Sequence, residues 1–363
     1  MLDHAPTLPS ADERLDLLRR IADTVASMRY ETWNFGDSVG FEALIESARA
    51  LEEPTLLAYA HGWSRSWAST RLPFRRLDCT APGLAMVEIA TRTHDDVLLV
   101  ALIELAEYLR SRPTDRGVLD TWDRMCLIPP YGGERLSAQE AAWLADPPTG
   151  TCVDCLHFDP PFFVALGAAV GSAELVQAGA EQALAYVDAL QQPSGIFDHF
   201  FMRDVPGTFG PAWGRGQGWA LLGLLDVHER LPVEHSARSV IADSIRRHVR
   251  GMLRLQRPDG RWWCVLDNPE SGEEGSTAPF MATGFLRAIR HGIFTREELL
   301  EPATKALAAT IDDLDEQGHL KNVTAAVFAS TRPSHYVHTP RGFFVTWGQA
   351  PVALALCEAA HLL

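Results

Sequence analysis

"FDPPFFVALGAAV" (residues 158–170) carries one charged residue, Asp159, and no other strongly polar side chain. A helix built from it is apolar on every side, has no solvent face and must be buried. Five further stretches share that character: "FGDSVGFEALIESA" (35–48), "CTAPGLAMVEIA" (79–90), "GQGWALLGLLDVH" (216–228), "STAPFMATGFLRAI" (276–289) and "WGQAPVALALCEAA" (347–360). Each starts near Gly, Pro or another small residue, and they recur at roughly 45–80-residue intervals. Between them run amphipathic segments with apolar stripes of helical period: 12–28, 94–111, 172–192, 236–256 and 295–314. These carry acidic residues early and, in many cases, basic residues late, as the helix dipole favours. Six buried helices alternating with amphipathic ones predict inner helices ringed by outer ones, an all-α (α/α)6 barrel. An open α-solenoid is the alternative, but its repeats are usually of uniform length and these are not. Strand signals are weak throughout.

The chain has 363 residues, 47% of them hydrophobic, enough for a large core. We expect a single catalytic domain over 1–363, with the segment at about 113–150 inserted as a rim loop. That insert carries Trp122, Tyr131 and Trp143, which suits a sugar-sized cleft. No run of eighteen apolar residues is present and the N-terminus has no apolar core behind a basic start, so a cytoplasmic protein is expected. The formal net charge of −15 argues against nucleic acid and anionic membranes, which require a basic face. A small anion still fits where a pocket supplies its own arginine. A homo-oligomer is left open.

The polar residues just before each apolar helix fall at one shared end of such a barrel. They are Trp33 and Asn34; Asp78; Asp154; Trp213, Arg215, Gln217 and Trp219; Glu273, Glu274, Ser276 and Thr277; and Thr346, Trp347 and Gln349. Carboxylates with tryptophans suit carbohydrate chemistry. An acid can be kept protonated by apolar neighbours or a second carboxylate, and indoles stack on sugar faces. An arginine offers a forked donor to a substrate carboxylate. Plainer readings stand beside these: Asp78 and Asp154 could be helix N-caps, and His199 a hydrogen-bonded core residue. His335 and His338 carry a weaker signal still. Cys152 and Cys155 form a C-x-x-C with His157 close by, but a zinc site needs four ligands and no second pair exists. A redox pair would prefer a strand before a helix. No metal or cofactor is expected.

"AWGRGQGWALLGLLDVHERLP" (212–232) resembles the W-[AG]-R-G-N-G-W signature of the unsaturated glycuronyl hydrolases. These are the unsaturated rhamnogalacturonyl and unsaturated glucuronyl hydrolases of glycoside hydrolase families 105 and 88. "LDCTAPGLAMVEIATRT" is similar to the L-D-x-x-x-P-G segment of that group, and "CVDCLHFDPPFFVALG" to its W-x-D-x-L-y-m-x-x-P-F segment. "YETWNFGDSVGFEALIESA" resembles its first inner helix. "LQRPDGRWWCVLDNPESGEEGSTAPFMATGFLRAI" resembles its Q-x-x-D-G-x-W-x-x-V-L-D…E-x-S-x-[ST]-A stretch.

The resemblance implies an (α/α)6 barrel acting on oligosaccharides with a 4,5-unsaturated uronic acid at the non-reducing end. A general acid protonates C4 and water adds at C5. The hemiketal then opens and the glycosidic bond is lost. The resemblance makes Asp154 the acid/base. Asp78 would hold sugar hydroxyls and raise the pKa of Asp154. Arg215, Trp213, Trp219 and His199 would line the sugar subsite, with Trp33 as a further platform and Ser276 as a further contact. Three positions depart from the pattern: Cys152 replaces a usual Trp, Asp120 a usual His, and Gln217 a usual Asn. Alternatives are an inverting glycosidase on saturated uronides, a sugar epimerase using His199, His335 and His338, and a non-enzymatic helical scaffold.

Overall fold

The computed structural model describes residues 8–31, 35–70, 82–120 and 122–363. Asp78 and Trp33 lie outside the described residues. Fourteen helices run through the described residues: α1 (Ala11–Ser27), α2 (Phe35–Ala50), α3 (Pro54–Thr70), α4 (Gly83–Thr93), α5 (Asp96–Arg110), α6 (Ala138–Ala145), α7 (Cys155–Val170), α8 (Ala173–Leu190), α9 (Gly214–Arg230), α10 (Ser236–Leu255), α11 (Thr277–Arg290), α12 (Arg296–Asp312), α13 (Pro333–Val337) and α14 (Thr346–Leu362). The six apolar stretches become α2, α4, α7, α9, α11 and α14. Each packs on the next, and α14 returns to α2, so the ring closes. An open solenoid would leave its first and last helices apart. The outer helices α1, α3, α5, α8, α10 and α12 each lie against members of this ring. The fold is the (α/α)6 barrel.

The inner helices are buried because their surfaces are dominantly apolar, and charged residues they do carry pair with one another inside the ring. In α7, Phe162, Phe163, Val164 and Leu166 are fully buried, and each such side chain contributes about 1.5–3 kcal/mol of transfer free energy. The outer helices behave as amphipathic ones. Ser10, Asp95 and Ser172 cap α1, α5 and α8 by accepting bonds from N–H groups of the first turn. The inner helices differ. Pro82, Asp154, Trp213, Ser276 and Val345 precede α4, α7, α9, α11 and α14 and make no side-chain cap bond.

One outer helix, α3, was not among the five amphipathic segments. Its buried stripe is Leu56, Ala60, Ser64, Trp67 and Ala68. The small and polar members of that stripe weaken the apolar period. Three two-stranded antiparallel sheets also occur in the loops: β1 (Thr114–Asp115) with β2 (Val118–Leu119), β3 (Gly150–Cys152) with β4 (Phe200–Met202), and β5 (Trp263–Val265) with β6 (Asn268–Glu273). At two to six residues, these strands are too short for alternation to show.

A close approach fixes the start of α7. Pro160 and Pro161 lie inside the helix and lack N–H groups, so the carbonyls of Leu156 and His157 lose their helical donors. The backbone of α9 comes in beside them: a Cβ on Gly223 would stand 2.3 Å from the Leu156 oxygen and 2.8 Å from the His157 Cα. Helix propensity alone says that Gly223→Ala stabilises by up to about 1 kcal/mol. The contact reverses the sign. We expect a loss of about 1–3 kcal/mol from overpacking, read as a lower denaturant midpoint. A raised midpoint would refute the contact.

Candidate active site

β3 runs straight into α7 and delivers Asp154. The ladder between β3 and β4 pairs Cys152 with Phe200, and one step on the Val153 N–H donates to the His199 carbonyl at 2.7 Å. This register places His199 beside Asp154, with Nε2 3.6 Å from Oδ2. The other ring nitrogen, Nδ1, meets the Tyr336 hydroxyl at 2.7 Å. Burial pushes the Tyr336 phenol up, so it stays a neutral hydroxyl. Gly210 makes this packing feasible, since at φ +67° a Cβ there would lie 2.3 Å from the Tyr336 oxygen and 2.6 Å from the His199 Cβ. The Trp213 ring lies against His199, with centroids 4.5 Å apart.

These residues line a cleft of about 240 Å³ with Glu31, Phe35, Trp122, Cys126, Cys152, Arg215, Ala326, Val327, Phe328 and Trp347. Four polar atoms of its lining residues are buried and carry no hydrogen bond within the chain: Asp154 Oδ2, Trp122 Nε1, Trp213 Nε1 and Arg215 Nε. One carboxylate oxygen, two indole donors and a guanidinium N–H thus belong to the lining of a concave, largely aromatic space. Buried polar groups are normally paired, so this arrangement is that of a binding site. The Asp154 side chain makes no bond to the α7 backbone, which removes the N-cap reading of this residue.

Arg215 lines the cleft, with much of its guanidinium engaged within the chain. It is fully buried and lies against the Trp213 ring at 4.9 Å. Nη1 pairs with Glu274 Oε1 at 3.1 Å and donates to Thr324 Oγ1 at 2.5 Å, and Nη2 donates to the Ala325 carbonyl at 2.9 Å. Much of the fork predicted to hold a substrate carboxylate is therefore engaged by the protein, while Nε carries no hydrogen bond. It fixes residues 324–325, whose continuation Ala326–Phe328 forms a cleft wall. The Trp347 indole donates to the Thr324 carbonyl at 3.1 Å and anchors the same loop.

Two predicted contacts lie away from the cleft. Ser276 is buried behind Arg215 and donates to Glu274 Oε2 at 2.7 Å. Trp219 is fully buried in the barrel core, between Phe35 at 6.4 Å, His157 at 5.3 Å and Phe280 at 4.7 Å. A residue on an all-apolar helix faces core or cleft according to a rotation that the sequence does not specify.

The three departures from the family pattern separate in the same way. Gln217 is buried, accepts from the Phe197 N–H at 2.9 Å and donates to the Phe197 carbonyl at 2.8 Å, so it is structural. Asp120 pairs with Arg203. Cys152 alone lines the cleft. Its thiol is pushed up, first by a contact with Cys126 and then by burial, and so stays protonated. Cys155 packs in the main core while Cys152 belongs to a separate rim cluster, so the C-x-x-C serves two environments. The residues that sequence reasoning missed are Glu31, Phe35, Cys126, Ala326–Phe328 and Tyr336. Only Cys126 carried a signal, as part of the insert expected at the rim.

Below Trp219 lies a buried ionic cluster. Among the described residues, Glu42, His157 and Asp226 are the one group of His, Cys, Asp and Glu near enough to share a cation. The ring nitrogens of His157 face different carboxylates, Nε2 at 3.2 Å from Glu42 and Nδ1 at 3.7 Å from Asp226. The Arg287 guanidinium stands 2.7 Å from Asp226. The imidazole thus lies between two acids, with the Arg287 guanidinium beside one of them.

Comparison with known proteins agrees with this geometry. A family model described as Glycosyl Hydrolase Family 88 matches residues 18–363. The unsaturated rhamnogalacturonyl hydrolase YesR of Bacillus subtilis is 24% identical over 333 residues, spanning 91% of this chain and 90% of that protein. An unsaturated 3S-rhamnoglycuronyl hydrolase of an Alteromonas species is 26% identical over 110 residues, covering 30% and 27% of the two chains. Among solved structures, a possible GH105-family member from Salmonella enterica serovar Paratyphi A superposes with a TM-score of 0.80 at 20% identity, over 99% of this chain and 97% of that one. The unsaturated glucuronyl hydrolase of Bacillus sp. GL1 gives 0.68 at 14% identity, over 95% and 94%.

Proposed function

From the premise that this chain belongs to Glycosyl Hydrolase Family 88 and is a glycoside hydrolase, we propose that its cleft binds a 4,5-unsaturated uronic acid at the non-reducing end of a short oligosaccharide. The observation that carries the reading is Asp154, whose carboxylate oxygen is buried on the cleft wall with no hydrogen bond within the chain and with His199 3.6 Å away. One carboxyl group in that position suffices for the chemistry. It gives a proton to C4 of the enol ether, and positive charge develops at C5 and the ring oxygen. The resulting carboxylate then takes a proton from the water that adds at C5. The hemiketal so formed opens, and the glycosidic bond breaks without attack at the anomeric carbon. A direct glycosidase instead uses two carboxyls on either side of the scissile bond.

Several features support the assignment. Trp122 and Trp213 offer indole donors and ring faces to the sugar. His199, held by Tyr336, keeps a polar partner at the acid throughout. Arg215 shapes the wall, and Asp78 and Trp33 complete the constellation in the family reading. The small cleft suits one terminal sugar ring, so removal from the chain end follows. We read residues 1–363 as one catalytic unit. We place its action in the cytoplasm, where the free thiols of Cys126 and Cys152 would persist at the site. No described helix is long and apolar enough to cross a membrane.

The test is direct. Unsaturated uronyl disaccharides absorb ultraviolet light through the conjugated double bond, and hydration removes that absorbance. We expect loss of absorbance together with release of the second sugar from at least one member of a panel of rhamnogalacturonan- and glycosaminoglycan-derived disaccharides. Release from saturated uronides with the unsaturated panel untouched would overturn the proposal.

A further inference from the structure

The Asp154 side chain forms no cap and Oδ2 carries no hydrogen bond within the chain; His199 Nε2 stands 3.6 Å from it. Its position is set by the first turn of α7, and two contacts fix that turn. One is the abutment of Gly223 on Leu156 and His157. The other is His157 itself, three residues on, whose backbone N–H donates to the Asp154 carbonyl at 3.0 Å.

The His157 ring is buried. It faces Glu42 of α2 at 3.2 Å and Asp226 of α9 at 3.7 Å. Asp226 is itself anchored by Arg230 of α9 at 3.0 Å and Arg287 of α11 at 2.7 Å. We propose that His157, clamped between Glu42 and Asp226, is a positioning residue that holds Asp154 at the angle needed for proton transfer. The inference rests on the reading of Asp154 as the acid/base. His157 touches no cleft residue chemistry directly, since Trp219 stands between its ring and Phe35 on the cleft side.

The clamp depends on charge. Burial opposes a charged imidazole, but the carboxylates of Glu42 and Asp226 outweigh burial and the opposing Arg287, and His157 lies above its ordinary value. Further out, Glu46, Glu229, Arg230 and Glu358 line the same ionic cavity. A group raised in the folded state holds its contribution below that pKa and loses it as pH rises through it. The clamp therefore loosens on the alkaline side.

Pairwise comparison of the full-length wild type with Glu42→Gln and His157→Gln tests this. Steady-state pH profiles on an unsaturated disaccharide should show an alkaline limb in kcat that moves to lower pH in Glu42→Gln. His157→Gln should lack that limb and run at a plateau about 10–100-fold lower, the scale of a small misplacement. KM should change little in either variant. A second readout needs no turnover: the carboxyl carbon resonance of Asp154 should follow the titration of the His157 ring, at lower pH in Glu42→Gln. If the wild type hydrolyses no unsaturated uronide, the substrate reading fails, and the resonance experiment alone decides this one. An unmoved alkaline limb in Glu42→Gln, or an Asp154 resonance indifferent to His157, overturns the proposal. Should His157→Gln not fold, Glu42→Gln decides.

Discussion

Asp154→Asn lowers kcat by about 10²–10⁴-fold, the usual contribution of a positioned general acid or base. The fold should survive, because this carboxylate caps no helix and its Oδ2 makes no hydrogen bond within the chain, only a contact with His199 at 3.6 Å. Asparagine has nearly the same shape but can neither deliver a proton to C4 nor accept one from water. The expected result is an inactive protein with the wild-type circular dichroism spectrum and thermal midpoint, still able to bind the disaccharide. Isothermal titration with the uncleaved substrate checks binding, and the absorbance assay checks turnover. Wild-type kcat in this variant would remove Asp154 from the mechanism.

The largest stability effect is expected at Glu274. This carboxylate is 2% exposed. It accepts from Arg215 at 3.1 Å, Ser276 Oγ at 2.7 Å, the Thr277 N–H and Oγ1 at 3.0 Å each, and the Thr324 N–H at 3.2 Å. Glu274→Ala leaves a guanidinium buried without its counter-charge and strands several donors. Breaking one side of a buried pair costs about 3–5 kcal/mol, to be read as a lower denaturant midpoint. Activity should fall as well, because Arg215 no longer holds residues 324–328 against the cleft. Replacing both partners, Arg215→Met with Glu274→Leu, should recover most of the stability but not the activity, since no charge is then left unpaired. A single variant as stable as the wild type would mean that the pair does not hold this wall.

The alternation of all-apolar and amphipathic segments was enough to read the barrel. Burial of a segment such as 158–170 follows from its composition alone: no rotation of that helix presents a polar face. Six such segments with Gly or Pro starts predicted a closed ring with an open solenoid as the alternative, and the packing of α14 on α2 decided for closure. Asp154 was legible for the same reason, as the carboxylate at the mouth of a buried helix. Helix α3 was missed because Ala60 and Ser64 dilute its stripe, and the loop strands because five of the six have only two or three residues and the sixth, Asn268–Glu273, has no apolar alternation.

Side-chain roles were decided at longer range. Arg215 and Trp219 stand four residues apart in one motif, yet Arg215 reaches the cleft wall and Trp219 the core. The partner that commits the Arg215 fork, Glu274, is 59 residues away, and Tyr336, which orients His199, is 137 residues away. Glu42, His157 and Asp226 come from three separate inner helices. The sequence by itself determined which helices are buried and which carboxylate sits at a helix mouth, because both are local properties of composition and period. Only the tertiary structure decided which polar groups are paired with each other and which are left facing the cleft. That outcome depends on the rotation of each helix in the ring and on contacts between residues far apart in the chain.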